Sequence, residues 1–356
     1  MKLMIITYTM NRGGAEKMAA HLANQISAME KHSVFLLVYG ASQSLYPLHS
    51  GISYINMNAS SRELRLRFPL IRKIRKIIKE NHIDVVFGFS AGISEILPIA
   101  VLGLSCRAIG TERSNPYFHS HGAVRRFITN LAFSMLDGVV FTTKGCRDYY
   151  SESVRRKSVI IPNGYVETCA HKELSADRIH CKDIIAIGNL RQVKDYPTMI
   201  RAFSIFANTH SDYCLHIYGE GIEENAIRRL LGSYGLENRI ILHGSVNDLT
   251  EVYKSCKFLV HSSKSESWCN AILEALSFGV PCIAADCDFG PREMIRHGFN
   301  GLLYEVGNVR QLADYMSVLA EDSAMLNEMS KNARQDVQKF EFDNILKQYY
   351  RFLSEG

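Results

Sequence analysis

The chain has 356 residues, 47% of them hydrophobic and 22% charged, with a formal net charge of +5. That length exceeds a typical single core and predicts two domains, and the apolar share argues against a disordered chain. The basic excess is modest and has no aromatic platform or recognised binding motif beside it, which argues against nucleic acid as a partner. Nine cysteines lie scattered without C-x2-C or His/Cys zinc spacing, the pattern of free thiols in a reducing compartment. The first apolar run is only a few residues long before Asn11 and Arg12, too short for a signal peptide. The longest apolar segment, 96–106, falls well short of the roughly 20 residues a membrane span needs. A cytoplasmic protein that does not cross a bilayer is expected.

In the first half, strands are predicted at 3–7, 34–39, 53–57, 85–89, 108–111, 138–142 and 159–161, with helical patterns between most of them. Such alternation implies an α/β fold, a parallel sheet covered by helices on both faces. Ligands in these sheets bind at the carboxyl ends of strands. The first such end carries Asn11-Arg12-Gly13-Gly14-Ala15-Glu16, whose glycines let the backbone approach an anion ahead of a helix over 15–27. Between 60 and 80, Arg62, Arg65, Arg67, Arg72, Lys73, Arg75, Lys76 and Lys79 interleave with Leu, Ile and Phe. After Pro69 the spacing predicts a basic amphipathic helix over 69–80. Such a helix suits an anionic membrane surface, where each basic residue contributes about 1 kcal/mol; a solvated helix face is the alternative. Residues 110–116 end a strand in a polar loop with Glu112 and Arg113. Ile161-Pro162-Asn163-Gly164 punctuates the chain as a domain boundary would, ahead of a polar, linker-like tract over 167–182.

The second half opens with a buried strand from 183 that runs into a loop with Arg191 and Lys194, a fork and a point charge suited to phosphate oxygens. A helix then begins near Pro197. A strand over 214–218 ends in Gly219-Glu220-Gly221, and one over 240–243 leads to Gly244-Ser245-Val246-Asn247-Asp248. The stretch at 258–281 is the most informative. A short apolar strand at 258–261 gives way to a polar loop at 262–267 and to helical spacing over 268–278, stopped by Gly279 and Pro281. Glu266 therefore precedes a helix and Glu274 lies within it. Eight residues of helix rise about 12 Å, so the two carboxylates reach opposite ends of a long ligand rather than one small group. Between them the first amides of the helix, near Cys269, Asn270, Ala271 and Ile272, favour a phosphate. A hydroxyl-bearing group, a diphosphate and a second diol fit that order, which describes a nucleotide-diphosphate sugar. Pro291 opens another helix, with Glu293 a first-turn acid that favours the helix dipole, and 308–355 reads as helical.

The Glu266-x7-Glu274 spacing, with Asn270 and the following Ala-Leu-Ser-Phe-Gly-Val-Pro-Cys-Ile-Ala, resembles the signature of glycosyltransferase family 4, the retaining enzymes of GT-B fold. The Gly13-Gly14-Ala15-Glu16 loop, the 161–164 string and the Gly219-Glu220-Gly221 turn resemble the family's corresponding segments. The resemblance implies two Rossmann-like domains facing across a cleft: an acceptor-side domain over 1–163, a nucleotide-sugar domain over 164–339, and a helix over 340–356 returning to the first. It implies that Glu266 contacts the donor sugar, Glu274 the ribose diol, Lys194 and Arg191 the diphosphate from the side opposite Glu266, Gly219 and Asn247 the nucleotide, and Gly13 and Gly14 the donor phosphates and the acceptor, with Glu112 and Arg113 on the acceptor side. Ser267 stands where the family has Gly, and Asn189 takes the usual Arg place, so Arg191 lies two residues further on. Arg113 stands where many members have His, whose role is absent here or passed to His119 or His121. The family needs neither metal nor other cofactor, so Asp286-Cys287-Asp288, although it spells D-x-D, is not expected to bind metal; Asp288-Phe289-Gly290 likewise lacks the loops of a kinase.

The expected activity is transfer of a sugar, with retention, from a nucleotide-diphosphate sugar (UDP-linked in the first instance) to a sugar acceptor carried on polyprenyl diphosphate or belonging to a polysaccharide precursor. The enzyme would sit peripherally on the inner face of the cell membrane. A nucleotide-sugar epimerase of the same fold and a non-catalytic, membrane-attached binding protein are the alternatives.

Overall fold

The computed structural model describes residues 1–354 apart from 12, 30, 41–42, 61–62, 64–65, 121 and 166–175. Arg12, Arg62, Arg65, His121 and most of the tract after Gly164 thus lie outside the described residues, as does the side chain of His119. The chain divides into two compact units, Met1–Gly164 with Phe342–Gly356, and Tyr165–Glu341.

Among the described residues, the first unit holds a parallel sheet of seven strands: Lys2–Thr7 (β1), Ser33–Val38 (β2), Ile52–Asn56 (β3), Val85–Gly88 (β4), Arg107–Glu112 (β5), Gly138–Phe141 (β6) and Ser158–Ile160 (β7). Their order is β3-β2-β1-β4-β5-β6-β7. Each sequence-predicted strand of this half is present within a residue at either end. Strands such as Lys-Leu-Met-Ile-Ile-Thr are apolar almost throughout because helices cover both faces of the sheet. One covering helix, Gly14–Ser27, buries Met18, Leu22 and Ile26. The last helix, Phe342–Ser354, places Phe342, Ile345, Leu346, Tyr349 and Leu353 in the same core as Leu3, Ile5 and Val85.

The basic helix spans Phe68–Asn81 and uses its amphipathic character inwardly: Leu70, Ile71, Ile74 and Ile78 are buried. Arg72, Lys73, Lys76 and Lys79 are exposed. Apart from Phe68 at its start, its apolar face is therefore spent on the protein's own core, and beyond that residue its charged face is what it offers to a bilayer.

The second unit's sheet, also parallel, comprises Asp183–Ile187 (β8), Cys214–Tyr218 (β9), Ile240–Gly244 (β10), Phe258–His261 (β11), Cys282–Ala285 (β12) and Gly301–Tyr304 (β13). The order among the described residues is β10-β9-β8-β11-β12-β13. Strand order reverses between β1 and β4 in one sheet and between β8 and β11 in the other, and such reversals open the crevices where doubly wound sheets bind ligands. The helical C-terminal region is not continuous: Val309–Glu321 and Ser323–Val337 meet at Asp322, whose side chain accepts from the Met325 amide, and the last helix starts only after Glu341.

Candidate active site

At the β8/β11 reversal the loops leaving the two strands are joined by hydrogen bonds. Ser262 Oγ donates to the Lys194 carbonyl at 2.7 Å, and the Lys264 amide donates to the Val193 carbonyl at 2.8 Å. The Lys264 ammonium lies 3.2 Å from Asp195, which also accepts from Thr198 Oγ1 at 2.8 Å. This joining delivers Lys194 Nζ to Glu266 Oε1 at 2.5 Å, with the two side chains only 22% and 11% exposed. Lys194 and Glu266 thus lie side by side, not on opposite sides of a diphosphate. The separation of charge expected from the resemblance is replaced by direct contact, because β8 and β11 are neighbours and their loops converge.

The same carboxylate oxygen takes a second cationic partner. His261 Nε2 lies 3.1 Å from Glu266 Oε1, and Ser263 Oγ lies 3.1 Å from the same ring nitrogen. Burial on its own would lower the imidazole pKa, but Cys269 and Glu266 outweigh it and raise the value to about 9. Burial would likewise raise the Glu266 pKa, whereas the His261 hydrogen bond and the Lys194 charge hold it down to about 2. For Lys194, desolvation works against the ammonium and the Glu266 charge more than compensates, leaving its pKa raised. Glu266 is thus a fixed anion between two cations. Sequence reasoning missed His261; the available signal was a polar residue closing an apolar strand immediately before Ser262 and Ser263.

The helix after Glu266 spans Asn270–Ser277, two residues later than its apolar spacing predicts. Trp268 and Cys269 are buried in the unit's second core cluster with Ile272 and Leu276, and Cys269 caps the helix with extended backbone. The first-turn amides of Ala271 and Ile272 have no acceptor within the helix. Within it Glu274 accepts from Tyr253 Oη at 3.1 Å, and Tyr253 stacks on Phe278 at 5.2 Å between ring centroids. Gly290 closes over this region with φ of +70°; a β-carbon there would lie 3.2 Å from the Glu266 Cβ and 3.4 Å from the Trp268 Cα.

The other predicted residues fall as follows. Arg191 and Asn247 are exposed. Gly219, with φ of +142°, lies so close to the Gly188 carbonyl that no side chain fits between them, and Gly221 lies equally close to the Leu190 carbonyl. The Gly-Glu-Gly turn is thus explained by its approach to the loop that carries Lys194. Gly13 is covered by the Glu16 carboxylate, which accepts from Thr9 Oγ1 at 3.2 Å, and the Tyr46 hydroxyl bridges the Gly13 amide and carbonyl at 3.0 Å each. Gly14 begins the first helix. Glu112 is wholly buried and accepts from Ser114 Oγ at 2.6 Å and from Tyr150 Oη at 3.0 Å. Arg113 donates to Tyr349 Oη at 2.9 Å and to Asn163 Oδ1, and lies over the Phe89 ring at 4.3 Å. Both acceptor-side residues are therefore engaged inside their own unit.

Asp286 of the D-x-D triplet is gripped by Arg292 at 2.9 Å through both oxygens. Among the described residues the ligating atoms of His261, Glu266 and Cys269 converge within 4.8 Å. The Lys194 ammonium already supplies a cation to that carboxylate. The described cysteines are all free thiols, and no described helix is long and apolar enough to cross a membrane.

Residues 12–167 match the model of Glycosyltransferase Family 4, and residues 180–336 match that of Glycosyl transferases group 1. The chain thus carries a family 4 and a group 1 glycosyltransferase domain. An uncharacterized glycosyltransferase of Haemophilus influenzae is 23% identical to this glycosyltransferase over 341 residues, 95% of each chain. A Campylobacter jejuni alpha-1,4-N-acetyl-D-galactosaminyltransferase, named for the acceptor GalNAc-alpha-(1->4)-GalNAc-alpha-(1->3)-diNAcBac-PP-undecaprenol, is 23% identical over 363 residues, 100% of this chain and 99% of its own. Among solved structures, HepE of Anabaena in complex with UDP and glucose superposes over the whole of both chains with a TM-score of 0.85 at 18% identity. The glycosyltransferase fold is thus GT-B, two parallel-sheet α/β units.

Proposed function

We propose that this glycosyltransferase moves a sugar from a UDP-sugar, with retention of anomeric configuration, to a sugar acceptor carried on polyprenyl diphosphate or belonging to a polysaccharide precursor. The observation that carries the reading is the Lys194–Glu266–His261 cluster at the β8/β11 reversal, beside the start of the Asn270–Ser277 helix. A diphosphate seated on the Ala271 and Ile272 amides meets the Lys194 ammonium already desolvated, with Arg191 reaching in from solvent. Both oppose the charge that develops on the leaving phosphate. Glu266, held ionised by two cations, accepts hydrogen bonds from the donor sugar's hydroxyls, and Glu274 does the same for the ribose diol. Gly219 and Asn247 border the nucleotide, with Asn270 at the helix start. The leaving phosphate takes the acceptor's proton as the glycosidic bond forms. No metal is required, because Lys194 and the helix start supply the positive charge.

UDP in the HepE complex and the undecaprenol-linked acceptor named for the Campylobacter relative support the choice of donor and acceptor classes. On the first unit, Gly13 and Gly14 form the loop nearest the acceptor, with Glu112 and Arg113 shaping it from within. The exposed basic face of Phe68–Asn81 suits an anionic membrane surface, which supports a peripheral position on the inner face of the cell membrane.

The test is a panel of UDP- and GDP-sugars incubated with polyprenyl-diphosphate-linked sugars, with and without EDTA. Expected are acceptor-dependent release of UDP that EDTA leaves intact, a product of retained configuration by NMR, and loss of most turnover in Glu274→Gln. Release of an epimerised nucleotide sugar without acceptor, or full activity in Glu274→Gln, would overturn the assignment.

A further inference from the structure

In the helix Ala123–Ser134 the usual burial pattern is reversed. It buries Thr129, at 0% exposure, and Phe133, while Val124, Phe127, Ile128 and Leu131 face outward, with Val124 at 74% and Phe127 at 68% exposure. Positions 124, 127, 128 and 131 follow the i, i+3, i+4, i+7 spacing of one helix face, and exposed Met135 continues it just past the helix. A surface helix ordinarily turns such a stripe toward the core. Here a polar anchor prevents it. Thr129 Oγ1 donates to the buried Glu95 carboxylate at 2.7 Å, Arg125 holds both Glu95 oxygens at 2.6 Å, and Arg126 donates to the Tyr149 carbonyl at 3.0 Å. Turning the helix to bury its apolar face would break all of these and take Arg125 from the buried Glu95 carboxylate, with Arg67 still facing it, at a cost in stability.

The same carboxylate ties in the basic helix. Arg67, which precedes Phe68–Asn81, donates to Glu95 Oε2 at 2.7 Å, and its neighbours Leu66 and Phe68 are exposed by more than half. Arg72 lies over the Phe68 ring at 4.6 Å. The Ala123–Ser134 helix and the residue that leads into Phe68–Asn81 are thus tied to one buried carboxylate, and the Ala123–Ser134 helix itself carries no acidic residue.

We infer that this surface seats the enzyme on an anionic phospholipid bilayer, with Ala123–Ser134 immersing Val124, Phe127, Ile128 and Leu131 among the acyl chains while the Phe68–Asn81 helix meets the headgroups. The inference rests on the reading of the basic helix given above and adds the apolar part, which that helix cannot supply because its own apolar face is buried. Charge selects the occupant. A second copy docked on the same face by a two-fold axis would bring two cationic borders together, whereas anionic headgroups complement them.

The test is co-sedimentation of the full chain, without donor or acceptor, with vesicles of phosphatidylcholine alone or mixed with phosphatidylglycerol; transferase activity does not enter. Wild type is expected to pellet with the anionic vesicles and to remain largely in solution with the neutral ones. Phe127→Ser/Leu131→Ser should weaken binding at least about tenfold with an unchanged melting temperature, and Arg72→Glu/Lys76→Glu should weaken it in a salt-sensitive way. Val124→Asn/Ile128→Asn serves as an independent pair if the first variant misfolds. Wild type that stays in solution, or serine variants that bind as wild type does, overturns the inference. Loss in the Arg72/Lys76 variant alone would leave the basic helix in its role and remove Ala123–Ser134 from it. A wild-type dimer that the serine substitutions dissociate, without vesicle binding, would assign the face to a second copy and overturn the inference.

Discussion

Lys194 Nζ and Glu266 Oε1, 72 positions apart in sequence, lie 2.5 Å apart at the point where strand order reverses in the second sheet. Removing one member of a buried ion pair leaves the other uncompensated, typically at about 3–5 kcal/mol; here His261 still faces Glu266, so Lys194→Gln should cost nearer 2 kcal/mol. Its effect on turnover should be larger, on the order of a hundredfold, because in the function proposed above the ammonium also meets the diphosphate. Calorimetric melting with Lys194→Gln, Glu266→Gln and the double variant checks this. A coupling energy near zero would mean that the two residues act separately.

Their titration gives the fold a pH signature. Glu266 is depressed from 4.5 to about 2, so its stabilisation is complete above pH 4.5 and is lost as pH falls toward 2. His261 is raised from 6.5 to about 9, so its stabilisation is complete below pH 6.5 and is lost as pH rises through 9. The arrangement should therefore be most stabilising between about pH 4.5 and 6.5, and wild type should lose on the order of 2 kcal/mol between pH 6.5 and 9. In His261→Asn that alkaline loss should shrink markedly. Parallel melting curves for the two proteins across this range would rule out the coupling.

Arg113 joins two strings that the sequence presents as separate signatures, the loop after β5 and the boundary at 161–164, and ties both to the last helix through Tyr349. Its planar fork also lies over Phe89. Lys can reproduce neither the fork nor the stacking. Arg113→Lys should therefore destabilise the first unit by about 1–3 kcal/mol while leaving the affinity for UDP unchanged, since UDP is assigned to the other unit. A variant with normal stability and a raised KM for the acceptor would instead place Arg113 in contact with substrate.

The strands of the first sheet were legible because each is an apolar run bounded by polar turns, the pattern a strand buried on both faces must have. β13 is harder to see, since Gly301–Tyr304 has only four residues and follows closely on the Gly298 turn. Glu266, Glu274 and Lys194 could be picked out by spacing and resemblance. That Lys194 touches Glu266, and that His261 joins them, depends on β8 lying next to β11, and strand order is not written in local sequence. The Ala123–Ser134 helix shows a further limit. Its amphipathic spacing is the same whichever face points inward, and only the buried Glu95, contributed by a distant segment, decides that Thr129 goes in and Phe127 stays out.

Two glycines of the second unit separate conformational strain from steric exclusion. Gly235 ends the Glu224–Tyr234 helix with φ of +63° and has open space where a β-carbon would stand. Gly235→Ala should therefore cost only the left-handed penalty, about 1 kcal/mol. Gly219 combines φ of +142° with a β-carbon position that overlaps the Gly188 carbonyl oxygen and lies 2.8 Å from its carbon. Backbone, unlike a flexible side-chain end, cannot yield cheaply, so Gly219→Ala should cost about 3 kcal/mol or more. The displaced segment is the one that leads from β8 to Lys194, so the affinity for UDP should fall with stability, whereas Gly235→Ala should leave that affinity intact. Melting temperatures and UDP titration calorimetry on both variants check the argument. Equal, small losses in the two would show that the Gly188 segment gives way, and that the Gly-Glu-Gly turn does not hold Lys194 in place.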